Sequence, residues 1–157
     1  MAQTTTTEGK TVDFIVRVEK GTINRAIYQI AFRHQPGNVL PDPWTRAPNW
    51  NGRLVYLFGG DCKAGYRQGT LMAAALSESI LAHGYAMAAS TLNVFGNNCD
   101  DVISAETTMM VKELFIKKFG VPLHTIGIGA SGGSMQQHLL AQNYPGQIGR
   151  ASCRERV

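Results

Sequence analysis

The stretch Gly129-Ala130-Ser131-Gly132-Gly133 carries the strongest chemical signal in the chain. A G-x-S-x-G placed between a strand and a helix is a nucleophile elbow: the serine sits on a sharp turn, and small neighbours let strand and helix approach closely. Ser131 would then stand at a helix N-terminus, where backbone N–H groups and the helix dipole favour developing negative charge. The same residues also satisfy G-x-G-x-x-G through Gly127, Gly129 and Gly132, which is the dinucleotide-binding fingerprint in the same setting. That fingerprint normally lies on the first strand of its βαβ unit, with an acidic residue about 20 positions on. Here two β-α units precede it, and the downstream position falls in the C-terminal tail. A catalytically silent turn is the third reading.

A second piece lies upstream, in Phe58-Gly59-Gly60-Asp61-Cys62 at the end of an apolar run. A serine that transfers acyl groups needs two N–H donors aimed at the oxyanion. One comes from the residue after the nucleophile, Gly132, and the other from the loop after an earlier strand, where Gly60 and Asp61 are the candidates. A plain Gly-Gly turn is the alternative. The partners of a Ser-His-Asp triad are harder to find, because the chain order calls for an acid and then a histidine after the serine. Only His138 follows Ser131, seven positions on along the same helix, so it reads as a packing or surface residue. His34, His83 and His124 precede the serine in a loop, at a helix end and at a strand start, and none is placed to be the base. Asp100 and Asp101 read as loop and cap residues. No Cys/His or carboxylate cluster has metal-ligand spacing, and no cofactor is expected.

The elements that must position these residues follow from periodicity. Residues 11–33 alternate apolar and polar around Lys20-Gly21, which predicts an antiparallel edge hairpin. Residues 34–51, with Pro41, Pro43 and Pro48, predict a surface loop packed down by Trp44 and Trp50. GRLVYLF (52–58) is a buried parallel strand. Met72, Leu76 and Ile80 form a helix stripe within 68–83, and 85–92 is the next strand. Ser104 is expected to cap a helix with an apolar stripe of Met110, Val111 and Leu114, stopped at Lys117, Lys118, Gly120 and Pro122. HTIGIG (124–129) is a strand and 133–143 a helix. A hairpin followed by β-α-β-α-β-α calls for a mainly parallel sheet covered on both faces, an α/β fold.

The composition, 44% hydrophobic and 17% charged over 157 residues, fits one globular domain, though one short for a hydrolase that needs further strands after its nucleophile. Residues 1–10 are expected to be disordered, 11–146 to form the incomplete domain, and 147–157 to be a non-native tail. The tail, QIGRASCRERV, has no periodicity, resembles a translated sequencing adapter, and should pack poorly; a genuine basic tail is the alternative. Arg150, Arg154 and Arg156 less Glu155 account for two of the four net positive charges. The remainder points to neither nucleic acid nor membrane as a partner. The run 71–89 is broken by Glu78, His83 and Gly84, so it is no membrane span of about 20 apolar residues. Met1 to Lys10 has no apolar signal-peptide core.

The segments NWNGRLVYLFGGDCKAGYRQG (49–69), GYAMAASTLNVFGNNCDD (84–101) and IGASGGSMQQHLLAQNYPG (128–146) resemble a family of large, mostly secreted bacterial α/β-hydrolases without an assigned function. That family is distantly similar to tannase, feruloyl-esterase and polyhydroxybutyrate-depolymerase enzymes. The resemblance covers 11–146. It implies Ser131 as nucleophile, Gly59-Gly60 as the oxyanion region, and a small-molecule or polymeric ester as substrate. It also implies a secreted or periplasmic parent whose triad acid and histidine lie beyond this chain, leaving this fragment inactive. Asp61 departs from the glycine expected in that loop. Cys62 and Cys99 each follow a strand, and in this fold the two strands are neighbours; the pair is either a disulfide tying two active-site loops or two ordinary thiols. A dinucleotide-binding oxidoreductase fragment and a non-catalytic hydrolase-like binding module remain the competing functions.

Overall fold

The computed structural model describes residues 2–6 and 8–154, with backbone only for 153 and 154. Its centre is a six-stranded mixed sheet in the order β3-β4-β6-β5-β7-β8, beside a two-stranded hairpin of β1 (Gln3–Thr5) and β2 (Thr11–Asp13). Residues 3–5 are thus paired, in register with 11–13, where disorder was expected. β3 (Val16–Ile23) and β4 (Ala26–Arg33) form the predicted antiparallel edge hairpin, but its turn is Asn24–Arg25 rather than Lys20-Gly21. Asn24 and Arg25 have φ of 50° and 62°, the two left-handed residues of a tight hairpin turn. The Asn24 amide is fixed by bonds to Glu106 Oε2 (2.9 Å) and Thr107 Oγ1 (3.0 Å). Gly21 is instead a strand residue whose missing side chain admits the Tyr28 ring; a Cβ there would lie 2.7 Å from it.

β5 (Arg53–Gly59), β6 (Ala86–Val94) and β7 (His124–Ala130) form the parallel centre, and are buried along most of their length. The helix foreseen across 68–83 is reduced to a 3₁₀ turn, Ala73–Leu76, and a short α1 (Glu78–Ala82). Ser77 between them is extended, so the stripe breaks and Leu76 is exposed, while Ala75, Leu81 and Ala82 reach the sheet. α2 (Asp101–Phe119) begins at Asp100, whose carboxylate accepts from Ile103 N–H (2.9 Å). Ser104, expected as the cap, lies inside the helix and is buried. Gly120 ends it at φ 94°. α3 (Gly132–Asn143) follows Ser131.

α2 and α3 cover one face, over a core of Tyr28, Ile30, Leu54, Tyr56, Phe58 and Phe115. Trp50 packs there, its ring 5.2 Å from Phe115 and its indole N–H on Arg53 O (2.9 Å), whereas Trp44 is exposed and does not anchor the loop. β8 (Arg150–Arg154) pairs in parallel with β7, although the tail carries no strand pattern. The open edge of β7 supplies the template. Lys112 Nζ holds the carbonyls of Gly146 (3.0 Å) and Gln147 (2.8 Å) at the approach, and Gly149 N–H bonds Thr125 O (2.9 Å). No helix among the described residues is long and apolar enough to cross a membrane.

Phe115 has no exposed surface and contacts both Trp50 and Phe119. Phe115→Ala should therefore lower the unfolding free energy by about 3–5 kcal/mol in urea denaturation; a loss under about 1 kcal/mol would contradict this packing.

Candidate active site

The chain turns sharply between β7 and α3, and Ser131 is the residue that turns it. Its backbone has φ 56° and ψ −124°, a region that non-glycine residues enter only when the surroundings enforce it, at roughly 1–3 kcal/mol. Its carbonyl accepts from Ser134 N–H (2.8 Å) and Met135 N–H (3.1 Å), opening the helix. Its hydroxyl is not used as a helix cap, and the residue is exposed.

The glycines around it are demanded by contact. A Cβ on Gly129 would lie 2.7 Å from Phe58 O, and one on Gly133 would lie 2.5 Å from the same oxygen. A Cβ on Gly132 would overlap the Asp61 carbonyl. Hence Gly129, Gly132 and Gly133 let α3 and β7 close onto the end of β5, while Ala130 is exposed at the strand end.

That closure brings the loop after β5 beside the serine. A Cβ on Gly60 would stand 3.4 Å from Ser131 Cβ and 3.8 Å from Gly132 N, and one on Gly132 would stand 3.2 Å from Asp61 N. Among the described residues, the N–H groups of Gly132 and Asp61 find no protein acceptor. The carbonyls behind the Gly60 and Asp61 N–H groups are anchored: Gly59 O accepts from Phe95 N–H (3.3 Å) and Gly60 O from Gly96 N–H (3.0 Å). A trans peptide is planar with its C=O and N–H opposed, so each anchored carbonyl turns the next residue's N–H away from the anchor.

Asp61 takes φ 69°, the conformation a glycine would supply and one that aspartate tolerates better than most residues. Its carboxylate pairs with Lys63 Nζ (3.0 Å) and accepts from Cys62 N–H (3.0 Å), which hold its pKa below the ordinary 3.8, Lys63 contributing most. Cys62 and Cys99 are joined by a disulfide, Cα to Cα 5.0 Å, linking the loops after β5 and β6. Backbone bonds from Lys63 N to Phe95 O (3.1 Å) and from Cys99 N to Lys63 O (3.3 Å) run alongside it.

The histidines stay apart from the serine. His138 is exposed on α3, and His83 and His124 lie at the opposite ends of the parallel strands, about 20 Å away at the usual strand rise. His34 follows β4 in the loop. Among the described residues no group of His, Cys, Asp and Glu could hold a metal ion. An apolar cavity of about 240 Å³, lined by Leu57, Met72, Ile128 and Ala130 among others, opens beside Gly60.

Sequence reading missed a buried polar chain behind the site. Tyr56 Oη donates to Asn93 Oδ1 (2.7 Å), and burial pushes its phenol pKa up, so it remains a neutral donor. Asn93 Nδ2 donates to Ser104 O (2.8 Å), Ser104 Oγ (3.0 Å) and Thr108 Oγ1 (3.0 Å). Ser104 Oγ donates to Gln136 Oε1 (2.7 Å), and Gln136 Nε2 donates to Gly59 O (2.8 Å). Asn93, a buried amide near the end of β6, is the local sign of it.

This strand order, with a serine on the β7–α3 turn, defines an α/β-hydrolase fold. The chain belongs to the tannase-like family of unknown function (DUF6351), whose sequence model matches residues 1–150. Oligopeptidase B from Trypanosoma brucei, solved with covalently bound antipain, is similar in structure at a TM-score of 0.50 and 13% identity, over 89% of this chain and 20% of the peptidase. A cold-adapted esterase from an Arctic intertidal metagenomic library aligns at a TM-score of 0.46 and 12% identity, over 88% of this chain and 59% of the esterase. The chain therefore spans less than two thirds of either protein. No curated protein matches it.

Two outcomes follow from the loop. A carboxyl with a lowered pKa adds stability that is present above the ordinary value and is lost as pH falls through the folded one. Lys63→Ala should raise the Asp61 midpoint toward 3.8 in a carboxyl NMR titration; an unmoved midpoint would contradict Lys63 as the main cause. Replacing Cys62 and Cys99 by Ser opens a loop of sequence separation 37, and should lower the unfolding free energy by up to about 4 kcal/mol. Unchanged stability would contradict a native bond.

Proposed function

We propose that the protein is a serine-dependent carboxylic ester hydrolase in which Ser131 forms an acyl-enzyme. The Ser131 oxygen attacks the ester carbonyl as the triad histidine takes its proton, and the tetrahedral oxyanion is held by Gly132 N–H and by Gly60 or Asp61 N–H. The ester C–O bond then breaks, the same histidine protonating the leaving alcohol, and water later hydrolyses the acyl-enzyme. The observation that carries this reading is the strained Ser131 turn, exposed and uncapped, against the Gly60–Asp61 backbone. The triad acid and histidine are assigned to the part of the protein outside this chain, a reading supported by the 20% of the oligopeptidase that the chain spans. Residues 1–157 alone are then expected not to turn over ester. The apolar cavity beside Gly60 suits the apolar portion of a small or polymeric ester substrate. The Cys62–Cys99 bond supports an exported protein, because disulfides persist in oxidising compartments.

The dinucleotide reading of Gly127, Gly129 and Gly132 has less in its favour. Gly127 packs on Gln137 in mid-strand, and the Asp61 carbonyl occupies the space beside Gly132 where a pyrophosphate would have to sit. A non-catalytic binding module would bind ester without hydrolysing it, which activity assays separate.

In the full-length protein a fluorophosphonate should label Ser131, and Ser131→Ala should lower kcat on p-nitrophenyl acetate by at least about 10⁴-fold. A folded enzyme that stays unlabelled at Ser131, or an alanine variant with wild-type turnover, would contradict the proposal.

A further inference from the structure

We infer that Gln136 is a positioning residue for the oxyanion loop, acting through the Gly59–Gly60 peptide. The inference rests on the serine-hydrolase reading and deepens it.

Gln136 is 1% exposed on the face of α3 that meets the sheet, a place where an amide is unfavourable unless its polar atoms are paired. They are: Oε1 accepts from Ser104 Oγ, and Nε2 donates to Gly59 O at 2.8 Å and, more weakly, to Gly132 O at 3.4 Å. The Ser104 hydroxyl proton fixes which end of the amide faces it, since a hydroxyl donating to Oε1 leaves Nε2 turned toward Gly59. Asn93 Nδ2 in turn donates to Ser104 Oγ, so that hydroxyl's own proton is directed at Gln136. The chain of bonds thus starts at Tyr56 on β5, crosses β6, α2 and α3, and returns to the last residue of β5.

Its end point gives it a role. Gly59 C=O and Gly60 N–H belong to one planar peptide and point in opposite directions. Holding the carbonyl on Gln136 turns the Gly60 N–H the opposite way, and Gly60 is the residue whose Cβ position lies 3.4 Å from Ser131 Cβ. The only other donor to that carbonyl among the described residues is Phe95 N–H at 3.3 Å. Without Gln136 the peptide would hang on one long bond, while an apolar side chain of similar volume could still fill the space.

The test uses the full-length enzyme with p-nitrophenyl acetate and a fluorophosphonate. Gln136→Met should remain folded, lower kcat about tenfold to a hundredfold and slow Ser131 labelling in parallel, with KM within about twofold; complete loss of one oxyanion donor costs about 10²–10³ in kcat. Ser104→Ala leaves Gln136 in place but unfixed and should lower kcat several-fold. The double variant should be no slower than Gln136→Met alone, because both act on one peptide. Wild-type kcat in folded Gln136→Met overturns the inference, as do fully additive losses in the double variant. If Gln136→Met does not fold, Ser104→Ala decides: reduced kcat at unchanged KM supports the role, and wild-type kcat overturns it. Wild-type enzyme unlabelled at Ser131 overturns the serine reading itself, whereas labelled wild type with unaffected variants overturns this inference alone.

Discussion

The bend at Ser131 is the constraint on which the other features depend. A serine at φ 56° is disfavoured in isolation, and here it persists because the backbones around it leave no alternative path. Phe58 O lies where side chains on Gly129 and Gly133 would have to go, and the Asp61 carbonyl fills the space beside Gly132. The strand end of β5, the loop beyond it and the first turn of α3 are therefore in backbone contact. That contact raises a hydroxyl above the sheet and sets N–H groups beside it in one step.

Holding such a loop requires more than its own glycines. Three kinds of tie converge on 59–63: strand-like bonds from Phe95 and Gly96, the Cys62–Cys99 disulfide, and the amide of Gln136. Two come from the loop after β6 and one from α3, so the loop is restrained in position and in peptide orientation alike. Restraint of this kind is what the proposed oxyanion role needs, because such a donor acts through where it points before the reaction begins.

Much of this was legible in the sequence, in proportion to how local the cause is. The turn at Ser131, the central strands and α3 follow from glycine spacing and runs of apolar residues, and the two cysteines follow strands that prove to be neighbours. Positions governed by partners distant in sequence were misread. Lys20-Gly21 looks like a turn, yet Gly21 is small because the Tyr28 ring crosses it, and Asn24 turns the chain while bound to α2. Ser104 looks like a cap because a hydroxyl before an apolar stripe usually is one, but its partners are Asn93 and Gln136. The stripe at 68–83 predicts a longer helix than forms, since residues 60–72 are drawn into the loop held by the disulfide and by Arg67 N–H on Asn97 O (2.9 Å). The tail offers no strand pattern, and the open edge of β7 pairs it all the same.

The most direct test is a crystal structure of the full-length protein carrying a phosphonate on Ser131. The geometry described here requires the phosphoryl oxygen to lie about 2.7–3.1 Å from Gly132 N and from Gly60 or Asp61 N. An adduct whose oxygen points into solvent, or a loop 59–61 displaced from the serine, would contradict the account.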